Sequence, residues 1–146
     1  MTQASSTRSI EVAAEPSEVM AVIADFAAYP DWARSIKETE ILSARPDGRA
    51  DLVRFRIDAA IIKDTYELAY DWADDGLAVS WQLAERSATM AAQRGSYRLA
   101  PCASGTAVTY ALAVELAIAL PGILRRKAEQ VVMDTALSEL RARVER

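Results

Sequence analysis

The chain has 146 residues, 51% of them hydrophobic and 26% charged, which is the length and composition of one globular domain with a packed core and is too apolar for a disordered chain. Its formal net charge of −4 comes from 17 basic and 21 acidic residues spread along the sequence, so no electrostatic footprint for a polyphosphate backbone is visible and no nucleic-acid partner is expected. Histidine is absent, which removes the usual general base, the usual zinc ligand and the middle member of a Ser-His-Asp triad.

After a polar start, Ser9-Ile10-Glu11-Val12 alternates polar with apolar residues, the period of a strand with one face buried. Glu15-Pro16-Ser17-Glu18 reads as a helix start, with proline where its missing N–H costs nothing and acidic side chains near the positive end of the dipole. Val19, Val22, Ile23 and Phe26 give that short helix one apolar face. The pre-proline bias at Tyr29-Pro30 makes the chain break and restart around Trp32, so two short helices form a corner.

From about residue 36 to 117 the period becomes two. Pro46-Asp47-Gly48 is a turn, after which Val53, Phe55 and Ile57 alternate with Arg54 and Arg56. Tyr66, Leu68, Tyr70 and Trp72 alternate with Thr65, Glu67, Ala69 and Asp71, and Asp74-Asp75-Gly76 closes a hairpin into Leu77, Val79, Trp81 and Leu83. A last pair runs through Met90 to Leu99 and Thr106 to Leu116, with Val108, Tyr110, Leu112, Val114 and Leu116 on one face. Pro121-Gly122 then opens a helix of about 22 residues and about 33 Å. Leu124, Ala128, Val131, Val132, Thr135, Ala136, Leu140 and Val144 form its expected apolar stripe. The pattern predicts one α+β domain over 1–146, an antiparallel sheet of about seven strands layered on the terminal helix. Cys102 is the single cysteine, the N-terminus lacks the pattern of a signal peptide, and no apolar run reaches transmembrane length. A cytoplasmic location with no transmembrane segment is expected, and a homodimer is left open.

Phe26-Ala27-Ala28-Tyr29-Pro30-Asp31-Trp32 with Ile36-Lys37 resembles the helix-corner segment of the polyketide cyclase/dehydrase family of the START-like (SRPBCC, Bet v 1-like) superfamily. Gly95-Ser96-Tyr97-Arg98-Leu99 with Pro101, then Gly105-Thr106 leading into Val108-Thr109-Tyr110, is similar to that family's last hairpin. Pro121-Gly122 with Leu124-Arg125-Arg126-Lys127-Ala128-Glu129 is similar to the start of its terminal helix. The resemblance implies a helix-grip fold, in which a curved seven-stranded antiparallel sheet wraps the C-terminal helix and leaves a cavity for a lipid, a polyketide or a quinone-like ligand. It does not imply one activity, because the superfamily includes aromatase/cyclases, lipid chaperones, hormone binders and proteins that act on ribosomes.

Within that frame Trp32, Phe55, Tyr66, Tyr70, Trp81, Tyr97 and Tyr110 are candidate pocket walls, since aromatic rings with a polar tip hold a flat apolar ligand and its oxygens. Met90 and Met133 are candidates for the same wall, and ordinary core packing is the alternative for each. Trp72 belongs to the same aromatic set. A cyclase would close a poly-β-ketone by aldol chemistry, and without histidine its donors would be Tyr, Arg or Lys. Arg54, Arg56, Glu67, Tyr66 and Tyr70 are nearest by strand position, but the alternation places the three charges on the solvent face. No catalytic residue is assigned, and no metal or nucleotide cofactor is implied: there is no Gly-rich phosphate loop and no Cys/His cluster. Asp71, Asp74 and Asp75 read as hairpin chemistry. Arg125-Arg126-Lys127 opposes the dipole at a helix start, and reads either as an anion-attracting rim or as a solvated face with Glu129 as local partner. Three functions follow: a hydrophobic-ligand binder, a cofactor-independent aromatase/cyclase, and a surface-mediated interaction protein for a ribosome or a membrane.

Overall fold

The computed structural model describes residues 6–58, 63–117 and 121–146, apart from the side chains at 122 and 125. The period-two stretch is realised as six consecutive antiparallel strands, β2 (Ile36–Ala44), β3 (Ala50–Asp58), β4 (Lys63–Trp72), β5 (Ala78–Leu83), β6 (Met90–Cys102) and β7 (Gly105–Leu116). The first strand, β1 (Ser6–Val12), pairs with β7, giving the order β1-β7-β6-β5-β4-β3-β2. Strands adjacent at the start of the sequence are therefore opposite edges of the sheet. The segment between them, α1 (Pro16–Ala24), a 3₁₀ turn at Phe26–Ala28 and α2 (Tyr29–Trp32), joins those two edges.

Turn chemistry sets the register. Gly76 takes φ +73°, Asp75 Oδ1 accepts the Leu77 N–H, and Ala73 N–H reaches Ala78 O, so the Asp-Asp-Gly sequence closes the β4–β5 hairpin. With Trp72 opposite Val79 and Tyr70 opposite Trp81, the apolar set of both strands turns to one face. On the other face Arg54 pairs with Glu40 and Glu67, and Arg56 with Glu38, a cross-strand charge ladder in water.

The 23-residue helix α3 (Gly122–Val144) packs on β1, β7 and α1. Its buried face is Glu129, Met133, Leu137 and Leu140, four residues at helical spacing. The stripe expected from the sequence is only partly this face. Leu140 is buried and Ala136 and Val144 are half-buried, whereas Leu124, Ala128, Val131, Val132 and Thr135 face solvent. Both sides of α3 carry apolar residues, so periodicity alone does not say which side meets the sheet. Glu129 also departs from the expectation of a local partner for Arg125-Arg126-Lys127. It is turned inward, accepting the Ser6 hydroxyl at 3.1 Å and the Val114 N–H at 3.0 Å, which ties the helix to the β1–β7 edge.

Candidate functional site

Antiparallel register brings residues far apart in sequence into rows across the inner face. One row runs Tyr70, Trp81, Gly95, Leu112, and the next runs Trp72, Val79, Tyr97, Tyr110. Phe55 lies opposite Tyr66 and stacks on it with ring centroids 5.7 Å apart. The rings continue without a break: Phe26 to Tyr70 at 4.8 Å, Tyr70 to Trp81 at 5.9 Å, Trp81 to Tyr97 at 5.4 Å, and Tyr97 to Tyr110 at 4.7 Å. These are tilted contacts at the separations aromatic pairs prefer.

Trp81 is held in place by two residues to which the sequence reading gave no part in the site, Gly95 and Gln93. Its indole lies against the backbone of Gly95, where any Cβ would collide with ring atoms Cζ2 and Cε2. Its Nε1–H donates to Gln93 Oε1 at 3.0 Å, and Gln93 Nε2 in turn lies 3.2 Å from the Met90 sulfur. Gln93 is thus a polar group on the inner face. The signal that marks it is period two with Gly95, Tyr97 and Leu99.

The phenol groups set the character of this interior. Tyr29 donates to Ile23 O and is a structural tie between helix and corner. Among the described residues no hydrogen-bond partner meets the hydroxyls of Tyr66, Tyr70, Tyr97 or Tyr110. Burial pushes the pKa of all five tyrosines up from 10.0, with smaller contributions from neighbouring phenols and carboxylates, so they remain neutral donors. Tyr66, Tyr70 and Tyr97 nonetheless keep accessible surface.

Trp32 on α2 is half-buried, with its ring 5.0 Å from Tyr29. Its Nε1–H is buried and has no partner among the described residues. Phe55, Trp81, Met90, Tyr110 and Met133 are buried, Met133 completely, at the contact of α3 with the rest of the core. Arg54, Arg56 and Glu67 lie in the outer charge ladder, away from this interior. Asp64 marks the inner face near the start of β4 and is buried. It accepts hydrogen bonds from the hydroxyls of Ser87 and Thr89 and from the N–H groups of Thr65 and Thr89, closing the β5–β6 loop onto β4. Burial pulls its pKa up, but these hydrogen bonds outweigh it and the net shift is downward. Two concavities lie on the outer surface. A groove of about 610 Å³ runs over β2 and β3 beside Lys37, Glu38, Arg54 and Arg56, and a trough of about 670 Å³ crosses β4 to β7 beside Asp71, Gln82, Arg94 and Arg98.

A curved antiparallel sheet with its aromatic face toward a long terminal helix is the helix-grip class of fold. Residues 3–145 match the model of the family described as polyketide cyclase / dehydrase and lipid transport, and the chain belongs to that family. It is similar to a START superfamily protein from Mycobacterium smegmatis, with 23% identity, 97% of each chain covered and a TM-score of 0.89. It is also similar to the Zhui aromatase/cyclase from a Streptomyces species, with 19% identity, 99% of this chain and 95% of that one covered and a TM-score of 0.82. One part of the di-domain aromatase/cyclase BexL matches at 17% identity, covering 97% of this chain and 46% of that one, with a TM-score of 0.77. At these identities the likeness fixes the fold. No curated protein matches the sequence. Among the described residues no helix is long and apolar enough to cross a membrane.

Proposed function

We propose that the chain binds a hydrophobic small molecule bearing hydrogen-bond acceptors, held between the aromatic inner face of the sheet and α3. The observation that carries this reading is the set of four phenol hydroxyls, on Tyr66, Tyr70, Tyr97 and Tyr110, enclosed by apolar side chains and without protein partners among the described residues. These hydroxyls keep accessible surface, so a ligand oxygen that replaces water on one of them is worth roughly 0.5–1.5 kcal/mol, and several in one wall add selectivity for oxygenated ligands. The wall proposed for that ligand is Tyr66, Tyr70, Trp81, Tyr97 and Tyr110, with Trp32, Phe55, Met90 and Met133 packing behind or beside it.

Family membership brings the aromatase/cyclase alternative with it. Neutral phenols suit the part of carbonyl polarisation, but aldol closure also needs a group to take a proton from carbon. Two carboxylates are buried among the described residues, and both are engaged: Asp64 by hydroxyls and N–H groups, Glu129 by Ser6 and Val114. That engagement favours binding over catalysis. The test is a titration of tryptophan fluorescence with anthraquinone and with anthracene, its analogue without carbonyls. Anthraquinone is expected to bind more tightly, and Tyr70→Phe or Tyr97→Phe to narrow the gap by about twofold to tenfold, the worth of one hydrogen bond. If neither compound quenches the fluorescence or raises the melting temperature, the binding reading fails.

A further inference from the structure

We propose that the ligand is an amphiphile whose anionic end is held by Arg126 at the open end of the interior, an inference that rests on the ligand-binding reading above. Polar ties along α3 fix how the helix lies on the sheet. Glu129 accepts the Ser6 hydroxyl and the Val114 N–H, Asp134 accepts Arg8 Nε–H, and Glu145 accepts the Ala13 N–H. Ser6 pairs with Leu112, Arg8 with Tyr110 and Val12 with Thr106. The helix therefore runs antiparallel to β7, and its start lies toward the Leu116 end of that strand.

Burial along one line of the helix shows where the interior ends. Glu129, Met133, Leu137 and Leu140 are buried against the sheet. Arg126 continues that line: seven residues before Met133, at about 3.6 residues per turn, it returns to within about 20° of Met133 around the axis. Yet Arg126 is exposed. The side of α3 that is closed against the sheet from Glu129 onward is thus open to solvent one turn earlier, and a cation stands at the opening.

That cation is unbalanced. Arg126 makes no ion pair among the described residues. The carboxylates of this end are committed elsewhere, Glu129 to Ser6 and Val114, and Asp64 to Ser87, Thr65 and Thr89. Glu115 alternates with Val114 and Leu116 onto the outer face and is exposed. Deeper along β7, the neutral phenols suit uncharged oxygens, whereas a full negative charge is better matched by a guanidinium at the opening, where the charge also keeps contact with water. From Val114 down to Tyr110 is about 13 Å of strand, and from Glu129 back to Arg126 about 4.5 Å of helix. A tricyclic body with one anionic substituent spans that length together with the Arg126 side chain.

The experiment is a tryptophan-fluorescence titration with anthraquinone and with anthraquinone-2-sulfonate, the same tricyclic body without and with an anion. The sulfonate is expected to bind wild type about fivefold more tightly, the upper end of what an exposed ion pair supplies, and the gain to fade in roughly 0.5 M salt, where the screening length is a few ångströms. Arg126→Gln should remove the gain and Arg126→Lys should keep most of it. Lys127→Gln, about 120° around the helix from Met133, should keep all of it. Thermal melts of the three variants, expected at the wild-type temperature, show that the fold is intact. Anthraquinone that binds while the sulfonate binds no more tightly, or a gain that survives Arg126→Gln or is lost equally in Lys127→Gln, would overturn this inference and leave the ligand reading standing. If neither compound binds, both are overturned.

Discussion

Replacing Gly95 with alanine tests the inner aromatic face at its tightest point. A Cβ at that position would lie 2.6 Å from Trp81 Nε1 and closer still to two carbons of the same ring, against about 3.5–4.0 Å for an ordinary contact. Trp81 would have to move by about 1 Å to restore that separation, and its neighbours Tyr70, Tyr97 and Tyr110 already sit within 6 Å of it, centroid to centroid. Overpacking of this kind costs about 1–3 kcal/mol. Gly95 has no positive φ, so alanine also gains about 0.4–1 kcal/mol by restricting the unfolded chain. The balance is a loss of about 1.5 kcal/mol and, for a domain of this size, a melting temperature lower by roughly 5 °C. Thermal melts followed by circular dichroism measure it. The same substitution made on a Trp81→Leu background should be neutral or mildly stabilising, because the ring it collides with is gone. A Gly95→Ala protein as stable as wild type with Trp81 in place would refute the packing described.

Three further outcomes are expected. Folding lowers the pKa of Asp64 below its ordinary value of 3.8, so its contribution is complete above about pH 4 and is lost as pH falls through the folded value; urea melts of wild type and Asp64→Asn should differ at pH 7 and converge in acid, and a constant difference would contradict the shift. Folding raises all five tyrosine pKa values, so that stabilisation is complete below about pH 10 and is lost as pH rises beyond it; phenolate absorbance should therefore appear together with unfolding, and a phenol titrating in the folded protein would show that it is open to solvent. Arg54→Ala removes exposed ion pairs and should cost about 1 kcal/mol or less while leaving anthraquinone binding unchanged, whereas a loss of binding would place Arg54 at the ligand.

The sheet was legible because its alternation is strong and its turns carry the residues their geometry requires, as at Asp74-Asp75-Gly76. The resemblance at the helix corner, last hairpin and terminal helix anticipated the arrangement of helix and sheet. The orientation of α3 was not legible, since Leu124, Ala128 and Val131 compete with Met133, Leu137 and Leu140 for the same periodic signal, and the buried side contains a glutamate. Gln93 was missed because a register shift between Met90 and Ala92 changes the phase of β6 just before it. Asp64 was missed because its partners, Ser87 and Thr89, come from the loop between β5 and β6. Which aromatic rings share an inner row depends on strand pairing, and pairing is a non-local property.

The central claim, that this interior holds an apolar molecule by its oxygens, is tested most directly by native mass spectrometry of the purified protein, followed by extraction and identification of whatever travels with it. The account predicts a mass above that of the bare chain, from a largely apolar compound with carbonyl or hydroxyl oxygens, and less of it in Tyr70→Phe with Tyr97→Phe. A bare protein whose melting temperature no apolar oxygenated compound raises would contradict the account.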